Sequence, residues 1–280
     1  MTSFEISPSF IDSPQGRIFV VQRYPRSGSA CQGVVLVPPF AEEMNRARRM
    51  MTLLAEQLAE RGCYVVIPDL FGTGDSEGDF SRASWDGWVE QLSCCVEHMQ
   101  SRYRVERYSM VAVRAGALLA ADYIKQSPHK PTKQVLWQPT IDGAAYLTQF
   151  LRLRLAADML SGGEGRGSVS SLKQALNAGE TVEVAGYALS SAVSQGLAQA
   201  SLKQVLPEIF PPTYWIDCMA GKEQDAPLAT RELIQGLTAS DVDVTHSTCI
   251  GPPFWSSAEI VENHDVVAKT VSYLCKGMQG

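Results

Sequence analysis

The sequence is poor in what most metal, redox and membrane functions require. It has four histidines and no H-E-x-x-H run, so no metal site is expected. Its seven cysteines are Cys31, Cys63, Cys94, Cys95, Cys218, Cys249 and Cys275. They include no C-x-x-C pair, and an odd, scattered set reads as the reduced thiols of a cytoplasmic protein. No apolar run approaches the ~18–20 residues that span a bilayer, so no membrane span is expected. The opening MTSFEISPSFIDSPQG has neither a basic head nor an apolar core, and no signal peptide is read there. Basic residues are in the minority: 24 Lys and Arg against 30 Asp and Glu give a formal net charge of −6. A nucleic-acid binder would carry a basic stripe instead. No cofactor is implied either. The run GTGDSEG has G-x-G-x-x-x-G spacing, not the dinucleotide fingerprint, and it does not follow the first parallel strand.

What is present suits a packed core. At 280 residues and 45% hydrophobic content, one large α/β domain with an insertion is expected. Two short alternating segments, 9–12 and 17–24, flank a Pro-Gln-Gly turn and read as an antiparallel hairpin. GVVLVPPF (33–40) is a continuous β-branched run, typical of a buried parallel strand. A helical period follows over 43–62, closed by Gly62. Strand CYVVIPDL (63–70), a glycine-rich loop, a helix over 85–101, strand 107–113, helix AGALLAADYIKQ and strand 133–139 complete the alternation. That order predicts a mostly parallel sheet covered on both faces.

The alternation breaks after Pro139. Residues 140–212 read as helical stretches (AAYLTQFLRLRLAADML, SLKQALNAG, ASLKQVL) with a glycine-rich loop, SGGEGRGS. The parallel pattern resumes with strand 213–219, helix 228–237, strand 241–250 and a last helix over 257–276. The expected division is a core of 1–139 and 213–280 with 140–212 inserted as a cap.

A hairpin, strand–helix repeats and a cap after the sixth strand together resemble the α/β-hydrolase superfamily. The loop DLFGTGDSEG (69–78) is similar to the D-x-x-G-x-G-x-S segment of that fold. Its Ser76 reads as a structural loop serine. In that fold a strand turns sharply into a helix at G-x-S-x-G and lifts the serine above the sheet. The matching stretch here is Ala112-Val113-Arg114-Ala115-Gly116. Its flanks keep the small residues, but Arg114 stands at the nucleophile position. A guanidinium stays protonated and has no electron pair to offer, so it cannot attack a carbonyl. The loop 251–256 that should carry the histidine base reads GPPFWS. His246 falls within a strand and His264 well inside the last helix. Asp225 falls where the triad acid belongs, although a loop aspartate serves equally as a cap or turn residue.

Further segments narrow the resemblance. PPFAEEMNRARRM, VRAGALLA, LWQPTIDG, FLRLRLAADM, GYALS and GPPFW together resemble the exosortase A system-associated hydrolase 2 family over nearly the whole chain. Those proteins are encoded among bacterial exopolysaccharide and exosortase genes. The resemblance implies a genomic context more firmly than a reaction; a protein partner in polysaccharide export is one of the partners that context leaves open.

Several roles stay open for the elbow. The N–H of Ala115 and one from the Phe40–Ala41 turn are the candidate oxyanion donors. With Arg114 at a helix N-terminus, they form a candidate site for a carboxylate, a phosphate or an acyl or glycan-related ligand. Phe40, Ala41, Glu42, Ala115 and Trp255 are its other candidate ligand-binding residues. Alternatively Arg114 pairs with Glu42 or Glu43, which open the neighbouring helix. A glutamate held ionised beside arginine, Glu43 foremost, is also a candidate base. FLRLRLAADM puts Phe150, Leu153 and Ala157 on one face, with Arg152 and Arg154 off it. This suits a cap helix over the crevice, or a lid that binds an acyl chain. Two classes therefore stand: a degenerate hydrolase that binds a ligand or partner, and an ester or thioester hydrolase or acyltransferase with a rearranged site.

Overall fold

The computed structural model describes residues 3–26, 30–160, 167–205, 207–221 and 226–276. The chain runs β1 (Phe4–Ile11), β2 (Ile18–Pro25), β3 (Gln32–Val37), α1 (Glu42–Glu60), β4 (Cys63–Pro68), α2 (Trp85–Tyr103), β5 (Tyr108–Val113), α3 (Gly116–Gln126) and β6 (Gln134–Trp137). An insertion then adds α4 (Gly143–Leu160), α5 (Val169–Asn177), the hairpin β7 (Val182–Val184) and β8 (Tyr187–Leu189), and α6 (Ser191–Gln199). The sheet resumes with β9 (Thr213–Met219), α7 (Leu228–Ala239), β10 (Val244–Ile250) and α8 (His264–Cys275).

The eight strands β1–β6, β9 and β10 form one sheet in the order β1-β2-β4-β3-β5-β6-β9-β10. Pairing is antiparallel at β1–β2 and β2–β4 and parallel from there on. This is the α/β-hydrolase fold that the strand–helix order predicts. The central strands β3, β4 and β5 are buried at every position, which is why they read as continuous apolar runs rather than alternating ones. Helices α1 and α8 cover one face through Met50, Met51, Leu54, Leu58, Val267 and Val271. Helices α2 and α3 cover the other, together with the insertion.

Local chemistry sets the elements that matter for the site. Helix α1 buries Met44, Ala47, Met51, Leu54 and Leu58 at helical spacing. Ser84 caps α2 by accepting from the Gly87 N–H at 3.1 Å. In the loop after β4, the Asp69 carboxylate accepts from the Asp75 N–H at 3.0 Å and pairs with Arg48 at 2.8 Å. Ser76 accepts from the Phe19 N–H at 2.7 Å and donates to the Asp69 carbonyl. It is a structural loop serine, as its setting suggests.

The structure differs from the sequence reading in four places. Strand β1 begins at Phe4, not near Ser9. Its Ile6 and Phe10 face outward at 54% and 48% exposure, so the strand lacks the apolar-in alternation that marks one. The insertion contains the hairpin β7–β8, with GYALS forming its second strand. ASLKQVL forms only a 3₁₀ turn at Leu202–Gln204. The last helix begins at His264, with Asn263 as its cap accepting from Val266 N–H at 3.3 Å. His264 is thus an exposed first-turn residue near Glu262 (3.1 Å), not one well inside the helix. Residues 161–166 of SGGEGRGS lie outside the described residues.

Candidate functional site

Three non-glycine residues with positive φ stand just past the C-terminal ends of neighbouring strands. They are Ala41 (φ 49°) after β3, Arg114 (φ 54°) after β5 and Gln138 (φ 42°) after β6. Each such residue stores backbone strain of about 1–3 kcal/mol, and such strain concentrates at functional sites. Arg114 sits in the elbow geometry itself: its N–H donates to Trp137 O at 3.0 Å, and its carbonyl accepts from Ala117 and Thr140 at 3.1 Å each. Gly116 is required two residues on. A Cβ there would stand 2.4 Å from the Pro38 carbonyl. The strained turn of a nucleophile elbow is intact, but its side chain is a cation.

That cation turns onto the start of α1. Arg114 Nε and Nη2 each donate to Glu43 Oε1 at 3.2 Å, and Nη1 donates to the Gln138 carbonyl at 3.2 Å. The pair is shielded, with 18% of the Arg114 side chain and 9% of the Glu43 side chain exposed. Trp255 stacks over the guanidinium at 4.9 Å from the ring centroid, and Tyr146 of α4 approaches at 6.0 Å. Phe254, beneath Trp255, packs edge-on to Trp137 of β6. Arg46 donates to the Ser257 carbonyl and so ties α1 to the loop carrying Trp255.

Together these groups line a cleft of about 390 Å³, open between α1, the elbow, α4 and the Trp255 loop. Glu42 and Glu43 line this cleft; the Oε2 atom of each is fully buried with no hydrogen-bond partner among the described residues, while Tyr146 is a hydrogen-bonding neighbour of the Glu43 carboxyl. Burial pushes the Glu42 carboxyl up to about 7, the charge of Glu43 adding and Arg46 and Arg114 opposing. Burial also raises Glu43, against the pull of Arg114. The expectation that arginine simply holds that carboxylate ionised is therefore only half met. Tyr146 is held well above its ordinary range by burial first and by both glutamates next.

Beside the cleft, Phe40, Ala41, Ala115 and Gly116 line an apolar slot. It leaves about 20 Å³ for water-sized occupants, room for roughly one molecule. Among the described residues, neither the Ala41 nor the Ala115 N–H finds a protein acceptor. Both candidate oxyanion donors are thus available.

Of the residues singled out in the sequence, Phe40, Ala41, Glu42, Glu43, Arg114, Ala115 and Trp255 come together here. Asp225 lies outside the described residues. His246 is engaged elsewhere: its Nε2 lies 2.9 Å from the buried Asp217 carboxylate, whose other oxygen accepts from Trp215 Nε1 at 3.1 Å. Tyr146 and Gln138 were not anticipated. Tyr146 lies one turn before Phe150, so extending the α4 face backward would have found it. Gln138 gives no sequence signal, because it acts through its carbonyl. Among the described residues no cluster of three or more His, Cys, Asp or Glu could hold a metal, and no helix is long and apolar enough to cross a membrane.

Fold and elbow together define an α/β-hydrolase whose nucleophile position is occupied by arginine. The family described as serine aminopeptidase, S33, matches residues 28–196, and the chain belongs to it. Among solved structures, the Est1E protein of Butyrivibrio proteoclasticus with ferulic acid bound is similar at 12% identity and a TM-score of 0.66, covering 97% of this chain and 100% of that one. An esterase of Pyrococcus furiosus matches at 15% identity and TM-score 0.66, over 99% and 92% of the two chains. The thioesterase domain of the curacin biosynthetic pathway matches at 17% identity and TM-score 0.57, over 96% and 99%. No curated protein matches the chain.

Proposed function

We propose that this chain is a hydrolase-fold binding protein that has given up serine-hydrolase chemistry and holds an acyl or glycan-related ligand in the cleft before Arg114. One observation carries this reading. The Arg114–Glu43 pair fills the elbow where a nucleophile and its base would stand, yet leaves carboxylate oxygens buried without a partner in the wall of an open cleft. Unpartnered buried acceptors are costly unless a donor arrives. A polyhydroxylated ligand supplies donors, and Trp255 and Tyr146 supply apolar faces. Two N–H groups of Arg114 and the free amides of Ala41 and Ala115 remain for its oxygens. The narrow slot under the elbow argues that an acyl chain lies in the outer cleft rather than beneath the sheet edge. The insertion 140–212 acts as a cap, placing Tyr146, Gln149 and Phe150 over the ligand. The resemblance to the exosortase-associated family supports a bacterial exopolysaccharide setting, a cytoplasmic location and a protein partner in export.

The test is a fluorophosphonate probe beside a binding screen with oligosaccharides and acylated sugars, followed by tryptophan fluorescence. No serine is expected to be labelled, and a saturable fluorescence change is expected that Trp255→Ala removes. A stoichiometric adduct on Ser76, or on any other serine, overturns the reading.

A second reading rests on Glu42. A carboxyl held near neutrality in a cleft wall, with one oxygen unpartnered, is suited to general acid–base work. It would serve an ester or thioester hydrolase or acyltransferase with a rearranged site. Ester or acyl-CoA turnover that Glu42→Gln abolishes while binding persists would favour it.

A further inference from the structure

The two edges of the eight-stranded sheet differ in what they offer a further strand. β1 forms one edge and β10 the other. In the antiparallel β1–β2 ladder, the Arg26 N–H donates to the Ser3 carbonyl at 3.1 Å. The register then turns the odd residues of β1 toward β2, and the backbone groups of Phe4, Ile6, Pro8 and Phe10 outward. Pro8 has no N–H to give, which blunts that edge at its centre.

The β10 edge has no such block. The Thr213 N–H donates to the Asp243 carbonyl at 2.8 Å, and the Gly251 N–H donates to the Met219 carbonyl at 2.9 Å. Alternate residues of a parallel strand face its neighbour, so the odd residues of β10 serve β9. The N–H and C=O groups of Val244, His246, Thr248 and Ile250 therefore point away from the sheet. Two of these carbonyls are taken: Lys269 Nζ donates to Thr248 O at 2.9 Å, and Asn263 Nδ2 donates to Ile250 O at 3.2 Å. The four N–H groups and the carbonyls of Val244 and His246 have no partner among the described residues.

The fully open part of the edge is the start of the strand, where Asp243 and Thr245 line a groove of about 600 Å³. Tyr214 and Tyr273 stand in its wall, their ring centroids 5.0 Å apart. Three lysines line it, Lys133, Lys269 and Lys276, against the carboxylate of Asp243. Lys269 pairs with Asp265 at 2.8 Å. Lys133 instead donates to the Tyr273 and Lys276 carbonyls at 3.1 and 3.4 Å, so its charge is not cancelled by a bonded carboxylate. The groove is thus basic in a chain of net charge −6.

We propose that the β10 edge is a docking surface for an acidic, extended segment of a partner protein, which adds a strand along Val244–Thr248 and sets its carboxylates against the lysines of the groove.

Unpaired backbone groups at alternate residues are matched by an extended chain, which supplies its own alternating donors and acceptors. Side chains of that chain alternate too, so one set faces α8 and the groove. Carboxylates in that set complement Lys133, Lys269 and Lys276. The added strand is short, because Lys269 and Asn263 already hold the carbonyls at the far end, and the charges must carry a share of the affinity. A second copy of this chain fits less well: a two-fold axis would bring the same basic groove to both sides. None of these residues lines the cleft before Arg114, so the proposal stands apart from what that cleft holds.

A labelled peptide of alternating Glu and Thr, titrated with the full chain and followed by fluorescence anisotropy, tests the proposal, with a Lys–Thr peptide as control. Saturable binding of the acidic peptide alone is expected, weakening as salt rises. Amide exchange over β10 should slow when that peptide is bound. Thr248→Pro removes an outward N–H and leaves the β9 ladder intact, as an edge position allows. It should weaken binding about tenfold with the far-UV circular dichroism unchanged. Lys133→Gln with Lys276→Gln leaves the edge untouched, and should weaken binding about tenfold and flatten its salt dependence. No binding of the acidic peptide, equal binding of both peptides, or binding that leaves β10 exchange unchanged would overturn the proposal. So would sedimentation showing the unaltered protein as a dimer that Thr248→Pro splits, since a second copy would then hold the edge.

Discussion

Arg114 reaches Glu43 with two of its nitrogens, both 3.2 Å from the same carboxylate oxygen. The other oxygen of Glu43 is left buried without a hydrogen-bond partner in the wall of the cleft. The pair therefore does two things at once. It fills the elbow, and it leaves a buried acceptor in the cleft wall beside Tyr146.

Removing one partner should expose the dependence of each on the other. Glu43→Ala leaves the guanidinium only the Gln138 carbonyl as a protein acceptor among the described residues. Breaking a sealed pair costs ~3–5 kcal/mol. The partial exposure of Arg114 lets water in, so the loss should fall below that range. Replacing both residues together, as Glu43→Leu with Arg114→Met, should destabilise less than either single change, because no charge is then stranded. Urea unfolding of the three variants checks this. A double variant that loses the full sum of the singles would mean that the two residues do not act as a pair.

Glu42 gives a pH dependence with a definite sign. Its folded value, about 7, lies above the unfolded value of ~4.3. The fold thus binds this proton more tightly than the unfolded chain. The resulting stability is fully present below about pH 4.3 and is lost as the pH rises through about 7. Glu42→Gln, which cannot ionise, should flatten that part of the profile. Melting temperatures from about pH 5 to about pH 8 should fall more for the unaltered protein than for the variant. Parallel profiles would show that Glu42 ionises freely in the fold.

The elbow glycine offers a steric test. A methyl at Gly116 would meet the Pro38 carbonyl at 2.4 Å and the Val37 carbonyl at 2.9 Å. Both are backbone atoms at the end of β3, so relief would require moving the Phe40–Ala41 turn. Gly116→Ala should destabilise by ~1–3 kcal/mol, the range for forcing a methyl into a packed site. It should also weaken any ligand that uses the Ala41 N–H. Unaltered stability would mean that the β3 turn yields freely.

These tests rest on parts of the molecule that differ in how clearly the sequence announces them. The parallel sheet was legible because β3, β4 and β5 are buried on both faces and must be apolar throughout. The elbow was legible because Ala112 and Gly116 keep the small residues that the turn needs, whatever stands between them. Glu43 could be narrowed to one of two neighbours, and the helix phase that turns it inward chose it. Strand β1 was cut short because its apolar Ile6 and Phe10 point outward. The hairpin β7–β8 is too brief, at three residues a strand, to leave a period. The role of Gln138 could not be read, since it depends on contacts between segments far apart in the chain.

The sharpest test restores the missing atom. Arg114→Ser places a hydroxyl on an elbow whose turn is intact and whose Ala41 and Ala115 N–H groups are free of protein acceptors among the described residues. A serine nucleophile also needs a base within hydrogen-bond reach. The loop after β10 offers Phe254 and Trp255, not histidine. His246 is engaged with Asp217 at 2.9 Å, and His264 is paired with Glu262 at the exposed start of α8. Glu43, freed of its arginine, is the nearest alternative base, but burial then raises it further and favours its neutral form. The variant should therefore melt lower than the parent and gain little turnover on p-nitrophenyl acetate or butyrate. A residual rate above water is compatible with this, since sites lacking their triad retain ~10³–10⁴-fold from the oxyanion donors and binding. Efficient, saturable hydrolysis by Arg114→Ser would identify a competent base. If Glu43→Gln then removed that activity, Glu43 would be the base, and arginine would be what now keeps an otherwise working elbow silent.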